Sequence, residues 1–339
     1  MKICSVLILI ILSFLKITIA QNYKIITLDS GKNTSIRGLS VVNNKVAWVS
    51  GSNGWIAKTT NGETFEWQQL KGFEKIDFRD IEAFSAKEAI IVNAGSPAYI
   101  LKTIDGGQSW KKVYENNDPS IFLDGMAFWN KKEGIIFGDP INGLMQILTT
   151  KNGGESWENI SAKAQIQLLD GEAAFAASGT TIRTHKNKVY IATGGKTSRL
   201  WSSINKGQTW TAVAIPIIKG EASTGTFSIA ISNSKIFAVG GDYLKEKSLV
   251  DNYTHQDRRI GEWGKSIKSP NGYRSAIEVI SENNLIATGP SGTDFSDDEG
   301  KTWQTLSLAG FHTCQKAKKG NLVLFTGSKG KIAMLSYKK

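Results

Sequence analysis

The chain has 339 residues, 40% of them hydrophobic and 21% charged, with a formal charge of +11. This composition excludes a disordered or collagen-like chain. The lysines are scattered, with no dense basic run and no basic helix, which argues against a dedicated nucleic-acid binder.

The N-terminus stands apart. Lys2 is followed by an almost wholly apolar run over residues 3–15, and Thr18-Ile19-Ala20 places small residues before Gln21. This reads as a secretory signal peptide over residues 1–20. The apolar run is short for a membrane span, which needs about 20 residues. No later stretch approaches that length, so the mature chain, residues 21–339, is expected to be soluble and exported, periplasmic or extracellular. Cleavage removes Lys2 and Lys16 and leaves a charge of +9, a mild bias toward acidic partners. Cleavage also removes Cys4, so Cys314 remains alone and no intramolecular disulfide can form. Packing must then hold the fold, with Cys314 as a small buried hydrophobe in a strand.

After a first strand at Tyr23–Leu28, one segment recurs along the chain. It runs Thr103-Ile104-Asp105-Gly106-Gly107-Gln108-Ser109-Trp110, and returns at Thr150 to Trp157, Ser203 to Trp210 and Ser296 to Trp303. A looser copy joins Thr59, Asn61, Gly62 and Trp67, and at a sixth place only Trp263 survives. Spacings of about 40 to 53 residues match one propeller blade. Asp or Asn bonds nearby backbone to build a turn, Gly supplies a positive φ, and Trp enters the next strand to bury its ring between blades. Every part of the motif thus serves folding rather than catalysis or calcium binding.

Two further markers recur seven times. An apolar strand ends at Gly51, Gly95, Gly138, Gly194, Gly240, Gly289 and Gly327, and an earlier strand begins at Ile36, Phe78, Phe122, Phe175, Phe227, Tyr273 or Phe311. Each unit reads as strand a, turn, strand b, loop, strand c, box turn, strand d, with no convincing helical period. The seventh unit stops after strand c, around Lys331–Tyr337. The fold class is therefore all-β: a seven-bladed β-propeller of four-stranded blades, monomeric, with Tyr23–Leu28 completing the last blade and closing the ring.

Strand order places the d–a and b–c loops on one face and the box turns on the other. At the strand-a starts the aromatic first residue should face the core, and the second should face the channel or its rim. Arg37, Arg79, Arg274 and His312 would then encircle one mouth, with Asp80 and Asp124 in third place. Asp139, Asp242 and Tyr243 join from the b–c loops, and Glu172 lies just ahead of the fourth unit. Read as a site, these residues form an arginine-bearing rim for a protein or peptide partner, acidic in character, or for a glycan. Read as architecture, they are salt bridges between blades. The longest irregular stretch, Tyr243–Ile260, lies on the same face as a specificity loop or a tolerated insertion.

The Ser/Thr-x-Asp/Asn-x-Gly-x-Ser/Thr-Trp boxes resemble the Asp-box, or BNR, repeats of sialidases and related propellers. Phe78-Arg79-Asp80-Ile81 and Tyr273-Arg274-Ser275 bring the chain close to the photosystem II stability/assembly factor family and its bacterial relatives, a likeness that covers essentially residues 22–339. That resemblance implies an exported scaffold that binds partner proteins during assembly. A sialidase-like glycoside hydrolase is the rival. It needs an arginine triad (Arg37, Arg79, Arg274), a tyrosine nucleophile (Tyr243 or Tyr273) and carboxylates such as Glu172 and Asp124. The Arg-Ile-Pro signature of sialidases is absent. Gly194-Gly195-Lys196-Thr197 lacks the earlier glycine of a phosphate loop, Tyr190 standing in its place. His185, His255 and His312 lack ligand spacing, so neither a metal nor another cofactor is expected.

Overall fold

Seven inner strands mix apolar residues, packed between neighbouring blades, with small and polar ones. In the computed structural model, which describes residues 23 to 337, they are Ile36–Val41, Phe78–Ala83, Leu123–Phe128, Ile182–His185, Thr224–Ile231, Ala276–Val279 and Thr313–Lys316. Each opens an antiparallel sheet whose following strands pair in sequence order, giving seven four-stranded blades; the fifth gains two two-residue strands, Glu172–Ala173 and Gly194–Gly195. The expected signal segment lies outside the described residues.

One hydrophobic cluster fills each of the seven blade interfaces. Trp48 and Ile56 meet Phe78 and Ile81 between blades 1 and 2, and Leu324 and Ile332 meet Ile36 and Leu39 between blades 7 and 1. The other five interfaces are built alike. Cys314 is fully buried among Phe295, Phe311 and Phe325. The ring closes as the sequence indicates: Tyr23–Asp29 pairs antiparallel with Ile332–Tyr337, Tyr23 opposite Tyr337. Asp29 then accepts a 2.7 Å hydrogen bond from Trp67 Nε1 in blade 1, tying the closing strand to the next unit.

The recurring turns hold themselves by side-chain bonds. Asp105 accepts from Thr103 Oγ1 at 2.8 Å, from the Ser109 amide at 3.0 Å and from Ser109 Oγ at 2.6 Å. The Gly107 amide donates to Thr103 Oγ1 at 2.9 Å. Asn152, Asn205 and Asp298 repeat this pattern. Ser109 and Thr103 hold the exposed Asp105 carboxyl down at about 2, so the turn keeps its charged acceptor at neutral pH.

Two expectations need correction. The fourth inner strand begins at Ile182, not Phe175. Residues 174–181 instead cross the propeller axis as a plug. Its Ala177 carbonyl accepts from Arg37 Nη1 at 2.9 Å, and Ser178 Oγ donates to the Ser275 carbonyl at 2.8 Å. Thr313 Oγ1 donates to the Ser178 carbonyl at 3.0 Å, and Thr180 Oγ1 meets Ser228 Oγ at 2.6 Å. Gly179 has φ 67°, and a Cβ there would lie 2.4 Å from Asp80 Oδ1, so only glycine fits. The plug thus touches blades 1, 2, 5, 6 and 7, and its small hydroxyl residues are those that fit a narrow axis. Second, Tyr243–Ile260 is not one irregular stretch, because Tyr253–Asp257 forms strand c of blade 5. Polar residues hid that strand, yet Tyr253 and Thr254 are buried. A single helical turn, Ser161–Ala164, follows the short outer strand of blade 3. Among the described residues no helix is long and apolar enough to cross a membrane.

Candidate functional site

The face carrying the strand-a starts holds a pocket of about 580 Å³ over the plug. Its charged residues reach it through β-bulges. In blade 1 Ile36 pairs with Gly51 and Gly38 with Ser50, so Arg37 is left without a partner. Arg79 is skipped in the same way between Phe78 and Asp80, Asp124 between Leu123 and Gly125, and Phe227 between Thr226 and Ser228. A bulged residue is released from the ladder and its side chain re-aimed. All four bulged residues line the pocket. Simple alternation therefore picks Arg37 and Arg79 correctly, while the bulge is what aims them.

The wall is divided into sectors. Blades 1 and 2 supply Arg37 and Arg79. The Arg79 Nε donates to Asp77 at 2.7 Å, and its guanidinium lies 5.9 Å from the Phe122 ring centroid. Arg37 forms no ion pair among the described residues; its bond is to the Ala177 carbonyl. Burial, and then the neighbouring Arg79 charge, hold the Arg37 guanidinium below its usual pKa. Blade 7 adds His312, whose Nε2 lies 3.0 Å from Ser35 Oγ. Burial, Arg37 and Arg79 push the His312 imidazole down to about 3, so it is neutral at physiological pH.

Blade 3 supplies the acidic sector. Asp124 is buried, and neither of its carboxylate oxygens has a hydrogen-bond partner among the described residues. Burial and then the nearby Asp139 carboxyl raise its pKa well above the ordinary value, against the pull of Arg79. Burial also raises Asp139, whose Oδ1 accepts from the Ala174 amide of the plug at 3.3 Å. The rest of the lining is largely aromatic. Phe175 stacks on Phe227 with centroids 3.8 Å apart, and Tyr243 and Tyr273 meet Phe227 edge-on at 6.1 and 4.8 Å.

Of the residues singled out in the sequence, Arg37, Arg79, Asp124, Asp139, Tyr243 and His312 thus come together. Three do not. Arg274 is 1% exposed and is held by Asp294 at 2.6 Å, with further bonds to the carbonyls of Asn271 and Tyr273. Its expected place at the mouth is wrong because the strand pairing of blade 6 starts only at Ala276, leaving Arg274 in a turn that folds inward. Glu172 is buried against Arg199, whose Nε lies 2.9 Å and 3.0 Å from its two oxygens, and Thr193 Oγ1 also donates to it. Asp242 is buried, accepts from the Leu244 amide at 3.0 Å and faces Lys245 at 3.7 Å. Sequence reasoning assigned Phe122, Phe175, Phe227 and Tyr273 to the core; Phe227 and Tyr273 are buried in one cluster with Phe175 packed against it, and all four also line the pocket. Their recurrence at one position of the unit was the signal for a shared wall. Glu246 and Pro290 were missed, with no sequence signal of their own.

Among the described residues no group of three or more His, Cys, Asp or Glu side chains is placed to hold a metal ion. No protein-family model matches the sequence, and no curated protein matches it. Solved structures do. The structure of YCF48 bound to D1 peptide has 17% identity and a TM-score of 0.66, covering 94% of this chain and 96% of that one. YCF48 from Cyanidioschyzon merolae has 14% identity and a TM-score of 0.68, covering 92% and 98%. A GH74 xyloglucanase from Xanthomonas campestris has 15% identity and a TM-score of 0.60, covering 92% of this chain but 53% of its own. At these identities the likeness is one of architecture: the chain is a seven-bladed propeller that resembles YCF48 along nearly its whole length.

Proposed function

We propose that this chain is an exported, non-enzymatic scaffold that captures an acidic segment of a partner protein in the pocket over the plug. Residues 1–20 serve as its signal peptide, and the mature chain acts as a monomer in the periplasm or outside the cell, its blades built on Asp-box turns. One observation carries the reading: Arg37, partly buried in the pocket wall, stands beside a second arginine without a carboxylate of its own. A buried guanidinium without a counter-ion is costly, and an incoming anion offsets that cost. The similarity to a propeller bound to a peptide supports the same use of the fold.

The glycoside-hydrolase reading fares worse. Its triad needs Arg274 beside Arg37 and Arg79, but Arg274 is committed to Asp294. Its carboxylate Glu172 is committed to Arg199. The test is calorimetric titration of the mature protein with acidic and neutral capped peptides. An acidic peptide should bind, and Arg37→Ala with Arg79→Ala should weaken it by about tenfold or more. Equal binding by the double variant refutes the reading.

A further inference from the structure

The pocket carries an acidic wall that an anionic ligand alone does not explain. Arg37 and Arg79 do not neutralise it: among the described residues neither comes within ion-pair distance of Asp124 or Asp139, and Arg79 pairs with Asp77 instead. Opposite charges therefore stand on separate walls of one cavity of about 580 Å³. Asp124 sits fully buried behind the wall with both oxygens unpartnered. Asp139 stands in front of it, partly exposed, with only Oδ1 engaged by protein. The bond from the Ala174 amide to Asp139 fixes the plug against this carboxylate, and the next residue, Phe175, lines the same pocket. The Phe175 ring is backed by Phe227, and Tyr243, 43% exposed, extends this aromatic wall to the rim. A carboxylate next to an aromatic face is a site for an ammonium or guanidinium, which gains both an ion pair and a cation–π contact.

We propose that the pocket recognises two opposite charges on one peptide segment: a carboxylate at Arg37 and Arg79, and a lysine or arginine side chain between Asp139 and the ring of Phe175. This rests on the peptide-capture reading above and sharpens it, because an acidic side chain alone fills half of the pocket. The cation's charge is met by Asp139, with Asp124 held neutral behind it, so selectivity arises from both walls at once.

The mature protein is titrated calorimetrically with capped Ala/Gly hexapeptides carrying one Glu, one Lys, or both at increasing separation. The best peptide with both charges should bind about tenfold tighter than the Glu-only peptide. Asp139→Asn should remove that advantage by weakening the two-charge peptide, while the Glu-only peptide, relieved of a nearby carboxylate, binds somewhat tighter, and Phe175→Leu should reduce the advantage several-fold, about as a lost cation–π contact does. Glu-only binding that equals the best two-charge peptide overturns this inference and leaves the arginine pocket standing. An advantage that survives both Asp139→Asn and Phe175→Leu also overturns it. Failure of every peptide to bind the folded protein overturns the inference and the capture reading together.

Discussion

Replacing Arg274 separates an architectural arginine from a recognition arginine. Its guanidinium bonds Asp294 through Nε at 2.8 Å and Nη2 at 2.6 Å, and donates to the carbonyls of Tyr273 and Asn271 and to Ser291 Oγ. Asp294 is itself fully buried and also accepts from the Asn271 amide at 2.9 Å. Removing one member of a buried pair strands the other charge without water, which costs about 3–5 kcal/mol. With an m-value of about 3 kcal/mol/M, Arg274→Ala should lower the urea midpoint by about 1–1.7 M. Replacing both partners with apolar residues, as Arg274→Met with Asp294→Leu, should recover much of that loss, because no lone charge remains buried. Arg37→Ala, which removes one bond to a carbonyl and opens onto the pocket, should cost about 1 kcal/mol. The assay is equilibrium urea unfolding followed by tryptophan fluorescence and far-UV dichroism. If Arg274→Ala proves no more destabilising than Arg37→Ala, the buried pair is not a structural element of blade 6 and the reasoning fails.

Deleting residues 23–29 should leave the edge of Ile332–Tyr337 unpaired, with Tyr23 stripped from Phe295 and Asp29 from Trp67. Gel filtration should then show self-association and dichroism a lowered melt, and a truncated chain that melts like the intact one would contradict ring closure by this strand. Asp80 provides a pH signature. Burial, opposed by bonds from the Met126 and Ile81 amides, pushes its carboxyl up to about 8 from an ordinary 3.8. Between those values the folded state holds a proton that the unfolded state releases. Its contribution to stability is therefore complete near pH 4 and declines as pH rises toward 8, by up to about 1.4 kcal/mol per pH unit. Carboxyl carbon NMR of the folded protein should show this group titrating near 8, and a carboxyl already ionised at about pH 5 would refute the assignment.

Blade number, ring closure and pocket face were all legible in the chain, because each rests on a feature repeated around the ring. Glycines near the ends of the second strands, tryptophans after the turns and an unpaired first strand are enough to count and close the blades. What escaped notice was local and unrepeated. The plug, Ala174 to Thr181, copies the aromatic start of an inner strand at Phe175 and then departs from it, so a reader of repeats takes it for one. The fate of Arg274 was hidden for a related reason: Arg37 and Arg79 sit on bulges, whereas Arg274 precedes its strand. No single-residue pattern separates these two settings, since the difference lies in the register of the partner strand.

The pairing of Tyr23 with Tyr337 also imposes an order in time. The two residues lie more than three hundred positions apart, so Tyr23 leaves the ribosome long before its mate is made. Bringing such distant ends together costs about 3 kcal/mol more in chain entropy than closing one hairpin within a blade. Blades 1 to 6 can assemble from neighbours as they emerge, while the seventh waits, its third strand bare along one side.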